Sequence, residues 1–378
     1  MRRPSRLERL PQQYFVSLLA RVAEAAAAVG PSLVDLGRGN PETGPPPHVI
    51  EALRASVLDP TVHGYAPIRG LARTKQAIAA RYADVYGVTL DPETEVALIP
   101  GTKTGIVELA LALCEEGDTL LLPDPYYPDY PSGAALAGAR LETLPLVPED
   151  GFAPNLASAP PAAALYLNYP SNPCAVCAPA GVFESAVDWA RRTGGAVVHD
   201  AAYIDIVYDG RAPESFLAVP GAKDVGVEMW SMSKTYGMAG WRVGFVVGNS
   251  EIVERINLLN DHSRVGIFAP MQAATIAALE GPQDSVAERV EAYRRRRDVI
   301  AAALPEPPVC EGTFFMWTRL PDGLTAERLL AGERVAVAPG EGFGPSGAGW
   351  ARLSLAVTDE TIEIGAERLH RAFAAVTA

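Results

Sequence analysis

SMSKTYGMAGWRVGF, residues 231–245, sets one lysine, Lys234, among small and hydroxyl residues, with Arg242 eight positions later and an apolar run directly after. Lysine is ordinarily a solvated surface residue. Here it follows the apolar segment VEMW (227–230) and precedes VGFVVG (243–248), so it stands at the end of one buried strand and the doorstep of another. A lysine held in a crevice loses part of its preference for the charged form and can act as a Schiff-base nucleophile. Arg242 suits a phosphate, with Ser231 and Ser233 as extra donors.

Working outward, further short apolar runs rich in branched residues alternate with longer helical patterns: VALIP (96–100), TLLLP (119–123), ALYLNYP (164–170) and AVVHD (196–200). That rhythm spells βαβ units and a mostly parallel, helix-covered sheet. The C-terminal third changes character, with a charged helical pattern over 286–304 followed by separate strands in TFFMWTRL, VAVAPG and ARLSLAV. This reads as a smaller α/β domain completed by the N-terminal segment. The expected division is residues 1–44 with the small domain, 45–270 as the large domain and 271–378 as the C-terminal small domain.

Ligands of open parallel sheets bind beyond the C-terminal ends of the strands, so the polar residues after each run are the candidates. After VALIP come Gly101, Thr102 and Lys103 at a helix start, which suits a phosphate or is simply a cap. After TLLLP comes DPYYPDY, whose aromatics stack on a planar ring or pack a loop. Asn168 and Asn172 lie in a prolyl turn, where their amides donate to a ligand or hold the turn. Asp200 ends its strand and requires a cationic partner or strong donors, with Tyr203 close behind. A phosphate cradle, a stacking ring, an amide donor, an acid, a phenol, a lysine and an arginine together match one cofactor, pyridoxal 5'-phosphate.

These motifs, over essentially the whole length, resemble the class I/II aminotransferases of the aspartate aminotransferase superfamily, which have the type I fold of pyridoxal-phosphate enzymes. The resemblance implies a large domain with a mostly parallel seven-stranded sheet and a smaller α/β domain. It makes Lys234 the Schiff-base lysine and Arg242 the phosphate arginine, beside Ser231, Ser233, Gly101, Thr102 and Lys103. NYPSNP and HDAAY are similar to segments that put Asn172 and Tyr203 on the ring oxygen and Asp200 on the pyridine nitrogen; the Asp-Pro-x-Tyr-Pro pattern makes Tyr127 the stacking aromatic. ARLSLA implies that Arg352 clamps the substrate carboxylate, and LGRGNPE that Gly39 belongs to a loop closing on substrate. GYAPIRGLARTKQAIA implies that Tyr65 reaches the phosphate of a neighbouring subunit, hence a homodimer with shared active sites.

Two departures stand out. The turn reads Asn172-Pro173-Cys174-Ala175 where the family has Asn-Pro-Thr-Gly, which predicts altered local geometry. Arg38, before the loop glycine, faces the substrate side chain, lies on the surface or pairs with Glu42. Within the superfamily the likeness is greatest to the LL-diaminopimelate aminotransferases, with glutamate, aspartate and alanine as further candidate donors, and Arg264 as a second residue whose direction bears on specificity. A same-fold lyase cleaving C–S bonds is the nearest alternative, and a non-enzymatic cofactor-binding sensor a more distant one.

Bulk properties agree. The 378 residues are 48% hydrophobic with a net charge of −13, which suits small-molecule partners rather than nucleic acid. No stretch is expected to span a membrane, and a cytoplasmic location follows. Of four cysteines only Cys174 and Cys177 form a CxxC pair, with no second pair or nearby histidine to complete a zinc site, so reduced thiols and no metal are expected.

Overall fold

The computed structural model describes residues 4–377. In chain order the strands are β1 (Val34–Asp35), β2 (Val96–Ile99), β3 (Thr119–Asp124), β4 (Arg140–Pro145), β5 (Ala164–Asn168), β6 (Ala196–Asp200), β7 (Gly226–Ser231), β8 (Gly244–Gly248), β9 (Phe315–Arg319), β10 (Val335–Ala336), β11 (Ala338–Pro339) and β12 (Trp350–Ser354). β2 to β8 form one seven-stranded sheet in the order β2-β8-β7-β6-β5-β3-β4. β8 is antiparallel to both neighbours and all other pairings are parallel. The seven-stranded, mostly parallel sheet is therefore as expected.

The apolar runs are continuous rather than alternating because helices cover both faces, leaving β2, β5 and β7 buried at every position. Trp230 of β7 stacks on Phe245 of β8 with ring centroids 5.1 Å apart. β4 is the exception: as an edge strand it is mostly exposed, so RLETLP carries no apolar signature. The antiparallel sense of β8 matters for the site. Its first residues lie at the same sheet edge as the last residues of β2, β5, β6 and β7, which brings Arg242 against Gly101 and near Lys234.

The second unit contains the antiparallel sheet β11-β12-β9 and the parallel pair β1-β10, with helices Asp284–Ala303 and Asp359–Thr377 packed on each other. Val34 pairs with Val335, which ties the N-terminal segment to this unit. The helix Tyr14–Val29 also leans on it, through Tyr14 Oη donating to the Pro339 carbonyl at 2.8 Å. By contrast, the helix Ala269–Glu280 packs on helices Pro47–Val57 and Ala72–Tyr86 beside the large sheet. Arg289, buried on the long helix, donates to the carbonyls of Thr235 and Gly44 and to Thr43 Oγ1, so one guanidinium holds the lysine segment and the loop at 43–44 together.

Tyr14–Ser32 is long and apolar enough to cross a membrane by length and composition alone. Here, however, its Phe15, Leu18 and Leu19 line an internal cavity.

Candidate active site

A cavity of about 440 Å³ opens at the C-terminal edge of the parallel strands, between the two units. Lys234, Asp200, Tyr203, Asn172, Tyr127, Thr102, Gly39, Arg38 and Arg352 all border it. Residues from every part of the chain are thus brought to one place.

Lys234 sits in the short helix Met232–Thr235, which Ser231 caps by accepting from Ser233 N. The turn is anchored from beneath: Thr235 Oγ1 donates to Asp205 at 3.1 Å, and Asp205 also accepts from Tyr86 and pairs with Arg81. Lys234 Nζ donates to the Gly39 carbonyl at 3.1 Å and lies 5.6 Å from the Tyr203 ring centre. Burial, reinforced by the charges of Arg352 and Arg242, lowers its pKa to about 8.

Asp200 is buried, accepting from Tyr130 Oη at 2.8 Å and from Ala202 N at 3.2 Å. Desolvation still raises its pKa. Such a carboxylate favours a cation placed against it. Arg352, 1% exposed, has its pKa lowered to about 10 by burial. Its guanidinium lies 3.8 Å from the Phe315 ring centre and donates to Asn172 Oδ1 at 2.9 Å, while its Nε is buried without a partner. An unpaired buried donor of this kind fits a ligand carboxylate.

Gly101 ends the turn before the helix Thr102–Leu113 with φ +84°, and a Cβ there would stand 2.3 Å from Arg242 Nη2. Only glycine admits both that backbone and that approach. The free N–H groups of the helix start and the Arg242 guanidinium thus meet over a residue with no side chain, an anion-binding arrangement. Arg242 itself has φ +58° and donates to the Ala239 carbonyl at 2.8 Å. Lys234, Asp200, Asn172, Tyr203, Tyr127 and Thr102 line the cavity and fit pyridoxal phosphate, while Gly101 and Arg242 adjoin Thr102 without lining it.

Other candidates fall elsewhere. Lys103 does not border the cavity: its amine is ion-paired with Asp129 at 3.0 Å, so at this helix start only its main chain remains for an anion. Ser231 and Ser233 are buried but do not line the cavity. Tyr65 is 91% exposed and does not line this chain's own cavity. Arg38 pairs with Asp35 at 2.5 Å rather than with Glu42, which Arg296 and Tyr293 occupy. Arg264 does not line the cavity, being tied to the Leu98 carbonyl at 2.6 Å and to Asn260. Ala175 keeps a left-handed φ of +61°, so alanine occupies a glycine-like conformation. Cys174 and Cys177 are thiols whose pKa burial pushes up to about 12. Among the described residues no group of three His, Cys, Asp or Glu is placed to hold a metal.

Several contributors carry no local sequence signal. Tyr130, the partner of Asp200, lies in DPYYPDY but one turn beyond the aromatic that borders the cavity. Phe15, Leu18, Leu19 and Phe315 supply an apolar wall from segments remote in sequence.

Known proteins share both fold and length. A substrate-bound structure of BacF from Bacillus subtilis superposes with a TM-score of 0.92 at 37% identity, covering 98% of each chain. The profile of the family "Aminotransferase class I and II" matches residues 31–369. The chain belongs to this family, and it is a transaminase. Family and fold imply dependence on pyridoxal phosphate. It is 44% identical over 376 residues to the L-glutamine–4-(methylsulfanyl)-2-oxobutanoate aminotransferase of Bacillus subtilis strain 168, covering 96% of this chain and 94% of that one. It is 38% identical over 386 residues to the LL-diaminopimelate aminotransferase of Moorella thermoacetica, covering 98% of both.

Proposed function

We propose that this transaminase binds pyridoxal 5'-phosphate in the cavity at Lys234 and moves an amino group between an L-amino acid and a 2-oxo acid, glutamate and 2-oxoglutarate being one pair. The observation that carries the reading is a partly buried lysine of lowered pKa between a buried carboxylate and a buried arginine with an unpaired Nε. When bound, the cofactor supplies an aldehyde for the amine and a protonated ring that draws electron density from the substrate's Cα. Arg242, Gly101, Thr102 and the Lys103 main chain would hold its phosphate, with Tyr65 of a second copy completing that site in a homodimer. Asp200 keeps a proton on the ring nitrogen, Tyr127 stacks on the ring, and Asn172 and Tyr203 donate to its oxygen. With Asn172 Oδ1 engaged by Arg352, its NH2 is the end left to donate.

Arg352 takes the α-carboxylate on its two-pronged edge and orients the Cα–H bond. Lys234 Nζ, once free and neutral, would remove that proton and deliver it to the carbon that carries the cofactor's aldehyde. The helix Tyr14–Val29 and the Gly39 loop exclude water from the proton in transit. Replacing Lys234 with Ala abolishes turnover while leaving cofactor binding measurable; near-normal turnover in that variant refutes the scheme.

We further assign the amino acceptor to 2-oxo acids with uncharged, largely apolar side chains. The wall formed by Phe15, Leu18, Leu19 and Phe315 supports this, as does the Asp35 pairing that occupies Arg38. The substrate named for the Bacillus relative, with a methylsulfanyl side chain, is of that class. A panel of 2-oxo acids against the pyridoxamine form tests it: 4-(methylsulfanyl)-2-oxobutanoate should outrank oxaloacetate, and the reverse ranking overturns it. A cytoplasmic location accords with the acidic composition and with the N-terminal helix docked on the site.

A further inference from the structure

On β6, which ends at Asp200, and β7, which leads into the helix of Lys234, lies a polar cluster to which the chemistry above gives no task. His199 and Glu228, cross-strand neighbours on β6 and β7, are both fully buried. His199 Nδ1 is 2.8 Å from Glu228 Oε2, and His199 Nε2 is 2.8 Å from the carbonyl oxygen of Tyr169. Glu228 also accepts from Tyr82 Oη at 2.7 Å, Ser215 Oγ at 3.0 Å and Phe216 N at 3.0 Å. A carbonyl only accepts, so Nε2 carries a proton and points it at the turn 168–173. The imidazole is otherwise packed between Phe183 and Phe216, where an apolar ring would fit without the cost of burying polar groups.

From Tyr169 the connection runs to the site. Asn168 Nδ2 donates to the Asp200 carbonyl at 2.8 Å, and its Oδ1 accepts from Asn172 N at 2.7 Å. Asn172 Oδ1 in turn accepts from Arg352. We propose that His199, oriented by Glu228, is a positioning residue that fixes the turn 168–173 and through it the amide of Asn172 and the guanidinium of Arg352. The inference rests on the roles given above to Asn172 and Arg352.

The test is a double-mutant cycle on the loaded enzyme and on the cofactor-free protein. His199→Phe fills the same space without a donor; His199→Gln keeps one. His199→Phe should raise KM for 4-(methylsulfanyl)-2-oxobutanoate about tenfold, the worth of one buried hydrogen bond to an oriented group. It should also weaken pyridoxal 5'-phosphate binding to the cofactor-free protein, read by fluorescence titration. His199→Gln and Glu228→Gln should fall between it and the parent, which keeps the test valid if the phenylalanine variant does not fold. In an Asn172→Ala background, His199→Phe should change KM and cofactor affinity less than about twofold, because both act through one amide. Additive effects, or parental KM and cofactor affinity in both His199 variants, overturn the proposal. If Asn172→Ala alone leaves KM and cofactor affinity at parental values, it is the role given to Asn172 that fails, and the route through it fails as well.

Discussion

Lys234 loses its proton near pH 8 in the folded protein and near 10.5 as an ordinary lysine. Its neutral amine, the form that captures an aldehyde, therefore accumulates as pH rises through about 8. The rate of cofactor capture by the cofactor-free protein should climb to a plateau above that pH. Between the two values the unfolded chain binds the extra proton, so this group makes the cofactor-free protein more stable as pH increases across that window. Arg352 contributes to the depression, and Arg352→Met should move the capture midpoint to higher pH; an unchanged midpoint would show that burial alone sets it. At Gly101 the added methyl of alanine meets Arg242 in a left-handed backbone. Gly101→Ala should weaken cofactor affinity by about tenfold or more while secondary structure by circular dichroism is kept. Ala175, also left-handed, has open scope for improvement: Ala175→Gly should raise stability by about 0.5–1 kcal/mol in denaturant unfolding. These glycine-dependent features were only partly legible in the chain. GTKT alone reads more readily as a cap than as an anion site until β8 brings Arg242 against it, and alanine at 175 gives no hint of its φ.

At the level of elements, the central strands were legible because burial on both faces makes each an unbroken apolar run closing on a polar residue. The same rule hides β4, an edge strand whose exposed residues read as loop. It also hides the part played by the helix Tyr14–Val29. Its apolarity suggests a buried segment, and nothing local says that it borders a cavity shared with residues as distant as Phe315 and Arg352. Leu19, half-exposed at the rim, is the position to probe. Leu19→Arg should lower kcat/KM for 4-(methylsulfanyl)-2-oxobutanoate about tenfold and raise it for acidic 2-oxo acids, with cofactor loading unchanged. Loss of loading in that variant would place the helix in cofactor binding instead.

For the molecule as a whole, Tyr65, Leu58, Val265 and Phe268 are exposed, and the proposed dimer gives Tyr65 a task on the neighbouring copy. Mixing inactive Lys234→Ala and Tyr65→Ala subunits should restore up to about a quarter of parental activity, because half of the hybrid dimer's sites are then complete. No recovery would mean that each site is self-contained. Which arginines face substrate was not legible, since it depends on partners such as Asp35 and Asn260 that only the folded chain selects.

The hydrogen bond from Lys234 to Gly39 joins the reacting amine to a loop carried, a few residues upstream, on the pairing of Val34 with Val335. In the proposed reaction, committing that amine to a covalent bond would cost Gly39 its donor, so the hold on the N-terminal segment across the cleft would follow the state of one nitrogen.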